Sequence, residues 1–366
     1  MEASVSKDPT GNILKPPRDL SLDFLKGVSI ILVVFFHNLQ LNPDSILDNI
    51  FMMWGNVAVP AFFLVSGALF FTRPFSWKHH IQHILRFYLA LTGWKTVYLV
   101  IYHLGGVPVP VSKRELLTYL LLFGDINGIA TGHLWFIVAM LTVLLAAPIL
   151  RICMEQDRKL TIYLMATCFF FNQLLTDANL ISTSLARLLG KGAWDLSVFG
   201  EINPFSFRYS NYMFYYMLGA FLQKKKNEKT ISPKTGVFMT AAGISGLVLI
   251  KYLQSGTFRW QSTHLVSGYY WISTVLAASG MFLSAAHIPF HSSRLLKGFS
   301  KIVGTSTLGI FYLHMPLIFV LTPRLFIRIA AYNGWVVNLL ESLFMVAISC
   351  MIVWTGRKLP VIRYLF

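Results

Sequence analysis

Apolar residues run along this chain in ten long stretches separated by short polar segments, near 20–39, 50–71, 85–103, 134–151, 161–177, 207–223, 236–254, 269–288, 306–323 and 335–355. Each approaches the roughly 20 residues that a helix needs to cross a ~30 Å hydrocarbon layer, where a helix satisfies its own backbone hydrogen bonds. The pattern predicts an all-α, polytopic membrane protein with about ten transmembrane helices. An eleventh apolar patch, 116–123, is short and is cut off by Gly124, Asp125, Asn127 and Gly128, so it reads as an interfacial or re-entrant segment. The longest stretches between spans, 104–133 and 178–206, are too short and too aperiodic for a soluble domain.

Composition and charge agree. The 366 residues are 55% hydrophobic and 13% charged, against about 25% charged in a soluble domain. With a cytoplasmic N-terminus, the ten-helix count places 20 of the 31 Lys and Arg residues on inside segments and 9 outside, leaving Lys26 and Lys95 within spans. Cytoplasmic loops carry the excess of positive charge, so both termini are expected to be cytoplasmic. Residues 1–17 are expected to form a short tail, with Pro16 and Pro17 delaying the first helix, and 357–366 a second. The first apolar run is long enough to remain as a helix, and no A-x-A-like site follows it, which argues against a signal peptide. The net charge of +16 sits in clusters between apolar runs rather than as a stripe on a polar domain, so nucleic acid is not an expected partner. Cys153, Cys168 and Cys350 lie in or at the edge of apolar segments, as reduced thiols do.

A charged side chain at mid-membrane costs on the order of 2.5–3.5 kcal/mol, which makes each one a functional candidate. The first run concentrates them in Asp23, Lys26 and His37. Eleven residues are about three helical turns, so Lys26 and His37 share a face about 16 Å apart. Spacing alone leaves two readings open. Either one polar stripe joins the cytoplasmic end to the outer half of the membrane, or Asp23 and Lys26 form an interfacial ion pair while His37 snorkels outward. In the second run Pro60 predicts a kink, and Ser66 and Gly67 a close helix approach. The third opens with Lys78, His79, His80, His83 and Arg86, suited to a phosphate-bearing ligand or to ordinary anchoring. No carboxylate or Cys joins these histidines, so no metal site is expected. His133, Trp135 and Tyr312 follow, and His314 lies inside an apolar span. Lys95 and Glu341 are further intramembrane charges at depths that would let them pair.

Taken in order, these segments resemble the integral-membrane acyltransferase-3 family. The family's L-D-x-L-[RK]-G-x(9)-H signature is matched from Leu22 to His37, with Phe24 in a variable position. Its F-F-x-x-S-G element is matched by Phe62, Phe63, Ser66 and Gly67, its H-L-W-F element by His133 to Phe136, and its Y-x-H-x-P element by Tyr312, His314 and Pro316. The resemblance covers about 18–355. Lys26 stands where the family has arginine, and His83 replaces the first arginine of an R-x-x-R motif that leaves Arg86; both lose a bidentate fork for phosphate. Met140 and Leu141 stand where some members carry an acidic pair. The chain looks like the branch without a fused soluble hydrolase-like domain, with a transmembrane domain over 18–356.

The resemblance implies transfer of an acyl group, most often acetyl, from cytoplasmic acyl-CoA to a hydroxyl of a cell-envelope or exported carbohydrate or a lipid-linked glycan. Acyl-CoA enters as co-substrate with no permanently bound cofactor, and a bacterial plasma membrane is the expected setting. His37 is the expected general base, with Asp23 beside it in the catalytic set. Lys26, Arg86 and His83 are expected to receive the CoA phosphates, and Trp135, Tyr312, His314 and Ser66 to contact substrate. Direct transfer and a covalent acyl-histidine remain open alternatives. A reading from another class is an ion-coupled transporter or exporter with a path through Lys26, His37, Lys95, His314 and Glu341. No internal repeat is evident to support it. Oligomeric state is not readable from the sequence.

Overall fold

The first helix begins where a capping side chain meets the first apolar run. Asp19 accepts the backbone N–H groups of Ser21 and Leu22 at 3.0 and 3.4 Å, satisfying donors that have no partner inside a helix. The computed structural model describes residues 18–38, 45–109, 112–192, 194–228, 231–255, 268–290, 292–326, 334–360 and 362–365. The expected N-terminal tail, 1–17, lies outside them.

Twelve α-helices follow one another among the described residues, with no strand: α1 (Leu20–His37), α2 (Ile46–Phe71), α3 (Trp77–Leu104), α4 (Lys113–Leu121), α5 (Trp135–Gln156), α6 (Arg158–Phe169), α7 (Leu175–Leu189), α8 (Asn211–Asn227), α9 (Pro233–Ser255), α10 (Ile272–Ala286), α11 (Arg294–Leu321) and α12 (Trp335–Gly356). A π-helical turn, Phe170–Leu174, joins α6 to α7, and a 3-10 turn, Gly132–Leu134, leads into α5. Seven helices, α1, α2, α3, α5, α9, α11 and α12, are long and apolar enough to cross a membrane. α10 is a shorter apolar helix. Every one of the ten expected spans falls on a helix, the fifth on the α6–α7 run.

The helices are longer than the apolar runs alone suggest. α11 starts at Arg294 rather than near 306, because Ser293 caps it by accepting the Leu296 N–H at 3.3 Å. Its first turns are amphipathic, with Lys301 exposed and Ser300 buried. Of the 29 residues expected as a loop over 178–206, the first 12 are helical in α7. The eleventh patch forms α4, opened by a capping box between Ser112 and Glu115. Nine residues span only about 13 Å, too little to cross. The last carbonyls of α4 lack helical partners, and α3 supplies donors one turn apart. Tyr88 donates to Leu121 at 2.9 Å, Thr92 to Leu120 at 3.2 Å, and Lys95 to Tyr119 and Gly124 at 2.9 and 2.7 Å.

α1 lies at the centre, packed by α11, α2, α12 and α10. Where α2 crosses α8, a Cβ on Gly67 would lie 1.8 Å from the Tyr216 carbonyl oxygen, and one on Gly219 would lie 1.9 Å from that of Leu64. Two glycines thus let two backbones touch, which realises the packing reading of the Ser66–Gly67 pair. Leu145 and Ile149 on α5, Val237 and Phe238 on α9, and Met351 and Trp354 on α12 are exposed, as lipid-facing positions are.

Candidate active site

Three imidazoles from distant parts of the chain meet at the C-terminal end of α1. His37 closes that helix, His133 sits in the 3-10 turn before α5, and His314 lies inside α11. Ring centroids are 5.2 Å apart for His37 and His314, 5.0 Å for His133 and His314, and 6.0 Å for His37 and His133.

A proline explains how the cluster is built. Pro316 has no N–H, so the Tyr312 carbonyl four residues earlier loses its helical partner. Tyr98 of α3 donates its hydroxyl proton to that carbonyl at 2.7 Å. Its oxygen lies 2.9 Å from His133 Nε2. With the one hydroxyl proton committed, His133 Nε2–H must be the donor in the second bond, which leaves the proton off Nδ1. His314 Nδ1–H donates to the Phe311 carbonyl at 2.6 Å. Its Nε2 therefore carries a lone pair, and that atom is buried without a hydrogen-bond partner, as is His133 Nδ1. The end of α1 is held from α12, where Asn338 donates to the Phe35 carbonyl at 2.8 Å.

Three cavities surround this point. The first, of about 450 Å³, is lined by His37, His133, Asn56, Trp135 and Tyr269, among others. A second, of about 390 Å³, opens toward the N-terminal end of α1, with Lys26, Arg73, His79, His83 and Arg151 among its walls and Ser66 beside them. It shares Phe136 and Phe311 with the first, and these rings lie 5.2 Å apart. The third and largest, about 820 Å³, is rich in aromatic and polar groups, including Asp125, Arg208, Tyr209, Tyr212 and Tyr270. It shares Gly132, Trp135 and Tyr269 with the first. Trp135 is packed by Tyr209, Tyr212 and Tyr269 at 6.0, 5.7 and 5.5 Å. The His37 cavity thus sits between two others, with an aromatic wall on each side.

The expected site residues divide among these places. Lys26, Ser66 and His83 line the second cavity, while Arg86 is exposed and is not on its wall. Asp23 is buried at the first turn of α1, where it pairs with Lys26 at 2.8 Å and with Arg18. Fourteen residues separate it from His37, about 21 Å of helix. Trp135 lines both the His37 cavity and the largest one. Tyr312 is fully buried, with its ring stacked on Trp94 at 5.4 Å. Lys95 and Glu341 do not meet. Lys95 holds the end of α4, and Glu341 accepts from Thr322 at 2.8 Å. No group of His, Cys, Asp or Glu suited to a metal occurs among the described residues.

Several contributors escaped the sequence reading. Tyr98 carried no signal, since a tyrosine in an apolar span reads as packing. Arg73 and Arg151 were counted only as inside charges, yet both line the second cavity. Arg151 is anchored by Glu155 at 2.7 Å and donates to the Arg73 carbonyl at 2.8 Å.

Comparison with known proteins gives one match, to a family described as an acyltransferase domain, over residues 19–354. No curated protein and no solved structure matches the chain.

Proposed function

The chain belongs to the acyltransferase-3 family of membrane acyltransferases, and from that premise we propose that it moves an acyl group, acetyl in the first instance, from acyl-CoA to a hydroxyl of a carbohydrate or lipid-linked glycan. The observation that carries this reading is the placement of His37 in a cavity that shares one aromatic wall with a basic cavity and another with an aromatic, polar one. In this proposal the basic cavity faces the cytoplasm, as both termini do. Arg73, Lys26, His79 and His83 receive the CoA phosphates at its rim, and the pantetheine arm extends along α1 past Phe136 and Phe311. The acceptor enters the largest cavity, where Trp135 and its neighbouring tyrosines offer flat faces and Asp125 and Arg208 offer polar ones.

The chemistry is one proton and one acyl transfer. A neutral His37 takes the proton of the acceptor hydroxyl as its oxygen attacks the thioester carbonyl carbon. The C–S bond then breaks, and the imidazolium returns the proton to the departing thiolate, giving ester and free CoA. Proton transfer of this kind contributes typically 10²–10⁴-fold. The transporter reading finds less support, because Lys95 and Glu341 are each engaged locally.

The test is thioester turnover by the purified protein in lipid nanodiscs, following free CoA from acetyl-CoA with and without an added glycan pool. Release by wild type, its loss in His37→Ala and a raised KM in Lys26→Ala are the expected results. If all three proteins are inert and acetyl-CoA does not bind, the acyltransferase assignment fails and ion-coupled transport is tested in its place.

A further inference from the structure

Among the described residues, the charged side chains lining the largest cavity are Lys95, Asp125 and Arg208, and none of them is in an ion pair. Lys95 lies within α3 and is 3% exposed, a place where a charge is costly. Its ammonium donates to the Tyr119 and Gly124 carbonyls and lies 4.7 Å from the centre of the Tyr119 ring. Those carbonyls account for two of its three donors and for none of its charge, since a neutral amide would hold them as well. Asp125 is near enough to act on Lys95 electrostatically, yet its carboxylate accepts from Thr131 at 2.9 Å. Arg208 is exposed and stands over the Tyr209 ring at 5.1 Å. One anion thus faces two cations, and the cavity keeps an unmatched positive charge. The backbone marks the same place. Among the described residues other than glycine, Phe123 and Tyr209 have positive φ, 61° and 74°, and both line this cavity. Such conformations are disfavoured for residues with a Cβ and persist where the surroundings hold them, as at ligand sites. Each adjoins a charge: Phe123 precedes the Gly124 carbonyl that Lys95 binds, and Tyr209 follows Arg208.

We propose that this cavity takes a sugar bearing an anionic group, a carboxylate or a phosphate, with the anion against the Lys95 ammonium, Arg208 adding its charge and Asp125 accepting from hydroxyls. The inference rests on the reading of this cavity as the acceptor's place and narrows it. A buried ammonium with one N–H unspent offers a charge-assisted bond to an anion, whereas a neutral sugar would leave its charge unmatched. The anion also gives the acceptor a direction. With one end of the sugar fixed at Lys95, the hydroxyl that turns toward the His37 cavity is set at the wall the two cavities share, Gly132, Trp135 and Tyr269.

Galactose, galacturonate and galactose 6-phosphate share a ring and differ at one carbon, so together they probe charge. Saturation-transfer NMR on the full chain in nanodiscs, without acetyl-CoA, measures their dissociation constants. Wild type is expected to bind at least one of the anions about tenfold or more tighter than galactose, and which anion it prefers identifies the source of the charge. Lys95→Gln keeps N–H groups for the end of α4 without the charge. It is expected to bring the preference within about twofold, and Arg208→Gln, at an exposed position, to reduce it about threefold, with galactose binding within about twofold of wild type in both. Equal binding of the three sugars by wild type, or a preference untouched in either variant, would overturn the proposal; the second result is the one expected of a phosphate held in the basic cavity instead. If Lys95→Gln does not fold, Arg208→Gln decides alone. Release of CoA from acetyl-CoA in the presence of each sugar keeps the two readings apart. An anion preference in a protein that releases no CoA counts against the acyltransferase reading and leaves the anion site in place. Turnover raised equally by galactose and by both anions keeps the acyltransferase reading and overturns this one.

Discussion

The two ends of α1 solve the problem of polar groups in a membrane protein in opposite ways. At the first turn the groups are formally charged and matched to one another. Asp23 is paired with Lys26 and Arg18, and Asp19 with Lys226 at 2.5 Å. The Arg18 side chain is 55% exposed while that of Asp23 is 6% exposed, so the network runs from surface to interior. At the last turn the groups are imidazoles, ordered by carbonyls and a phenol rather than by opposite charge. Two of the three keep a nitrogen without a partner. Paired charge suits the anion binding proposed for the first end, because each cation has a local counterion until a ligand replaces it. Unspent lone pairs suit the proton transfer proposed for the other.

The largest expected effect lies at the imidazole end. His37→Ala is predicted to lower kcat by roughly 10²–10⁴-fold, the usual worth of a general base, while leaving acetyl-CoA binding within about twofold. Turnover and binding in nanodiscs check this together. A variant that kept turnover would remove the distinction between the two ends, since both would then serve binding.

Tyr98→Phe is the next step down and tests the scaffold behind the cluster. It leaves the Tyr312 carbonyl and His133 Nε2 without their shared partner in a buried site. An unsatisfied buried group costs about 1–3 kcal/mol, so a lowered Tm in detergent is expected. Activity is expected to fall by about tenfold as His133 loses its orientation. A Tyr98→Phe protein with unchanged Tm and activity would show that the proline-freed carbonyl needs no external donor.

Legibility in the sequence divided along the same line. The ten apolar runs all fall on helices, seven of them long and apolar enough to cross a membrane, because length and hydropathy are properties of neighbouring residues. The helical period likewise placed Lys26 and His37 on one face. Helix ends were less legible, since α11 begins in an amphipathic stretch whose start depends on the Ser293 cap. Tyr98 was invisible for a deeper reason. Its task exists only because Pro316, more than 200 positions away, leaves a carbonyl vacant at a point where α3 passes α11. The depth-based pairing of Lys95 with Glu341 also failed for a tertiary reason, because the end of α4 folds back to offer Lys95 its carbonyls.

At the charged end the expected effects are smaller and fall on binding. Lys26→Ala is predicted to raise KM for acetyl-CoA by about five- to tenfold, near the worth of one charge-assisted hydrogen bond, with kcat changed by less than about threefold. Lys26→Arg restores the guanidinium fork of the family pattern and is expected to lower KM below wild type, provided Asp23 remains paired. Steady-state kinetics over a range of acetyl-CoA concentrations check both. A fall in kcat with unchanged KM in Lys26→Ala would move Lys26 from binding to chemistry and blur the comparison.

The smallest effect sharpens the comparison through pH. Burial alone would raise the Asp19 carboxyl, but bonds from Lys226, Ser21 and the Leu22 backbone together bring it below its ordinary value. The folded protein therefore favours the ionised form. The resulting stabilisation is present above the unfolded value of about 3.9 and is lost as pH falls through the lower folded value. Asp19→Asn isolates that charge, because asparagine caps a helix about as well as aspartate. The variant is expected to be less stable than wild type by about 0.5–1 kcal/mol at pH 7, the range of a partly exposed ion pair. The gap should narrow as the pH is taken below about 4. Thermal unfolding of both proteins between neutral pH and the acid limit of the detergent measures it. A gap that stayed constant with pH would mean that Asp19 acts through its capping hydrogen bonds alone, leaving Asp23, Lys26 and Arg18 as the charge pairing at that end of α1 among the described residues.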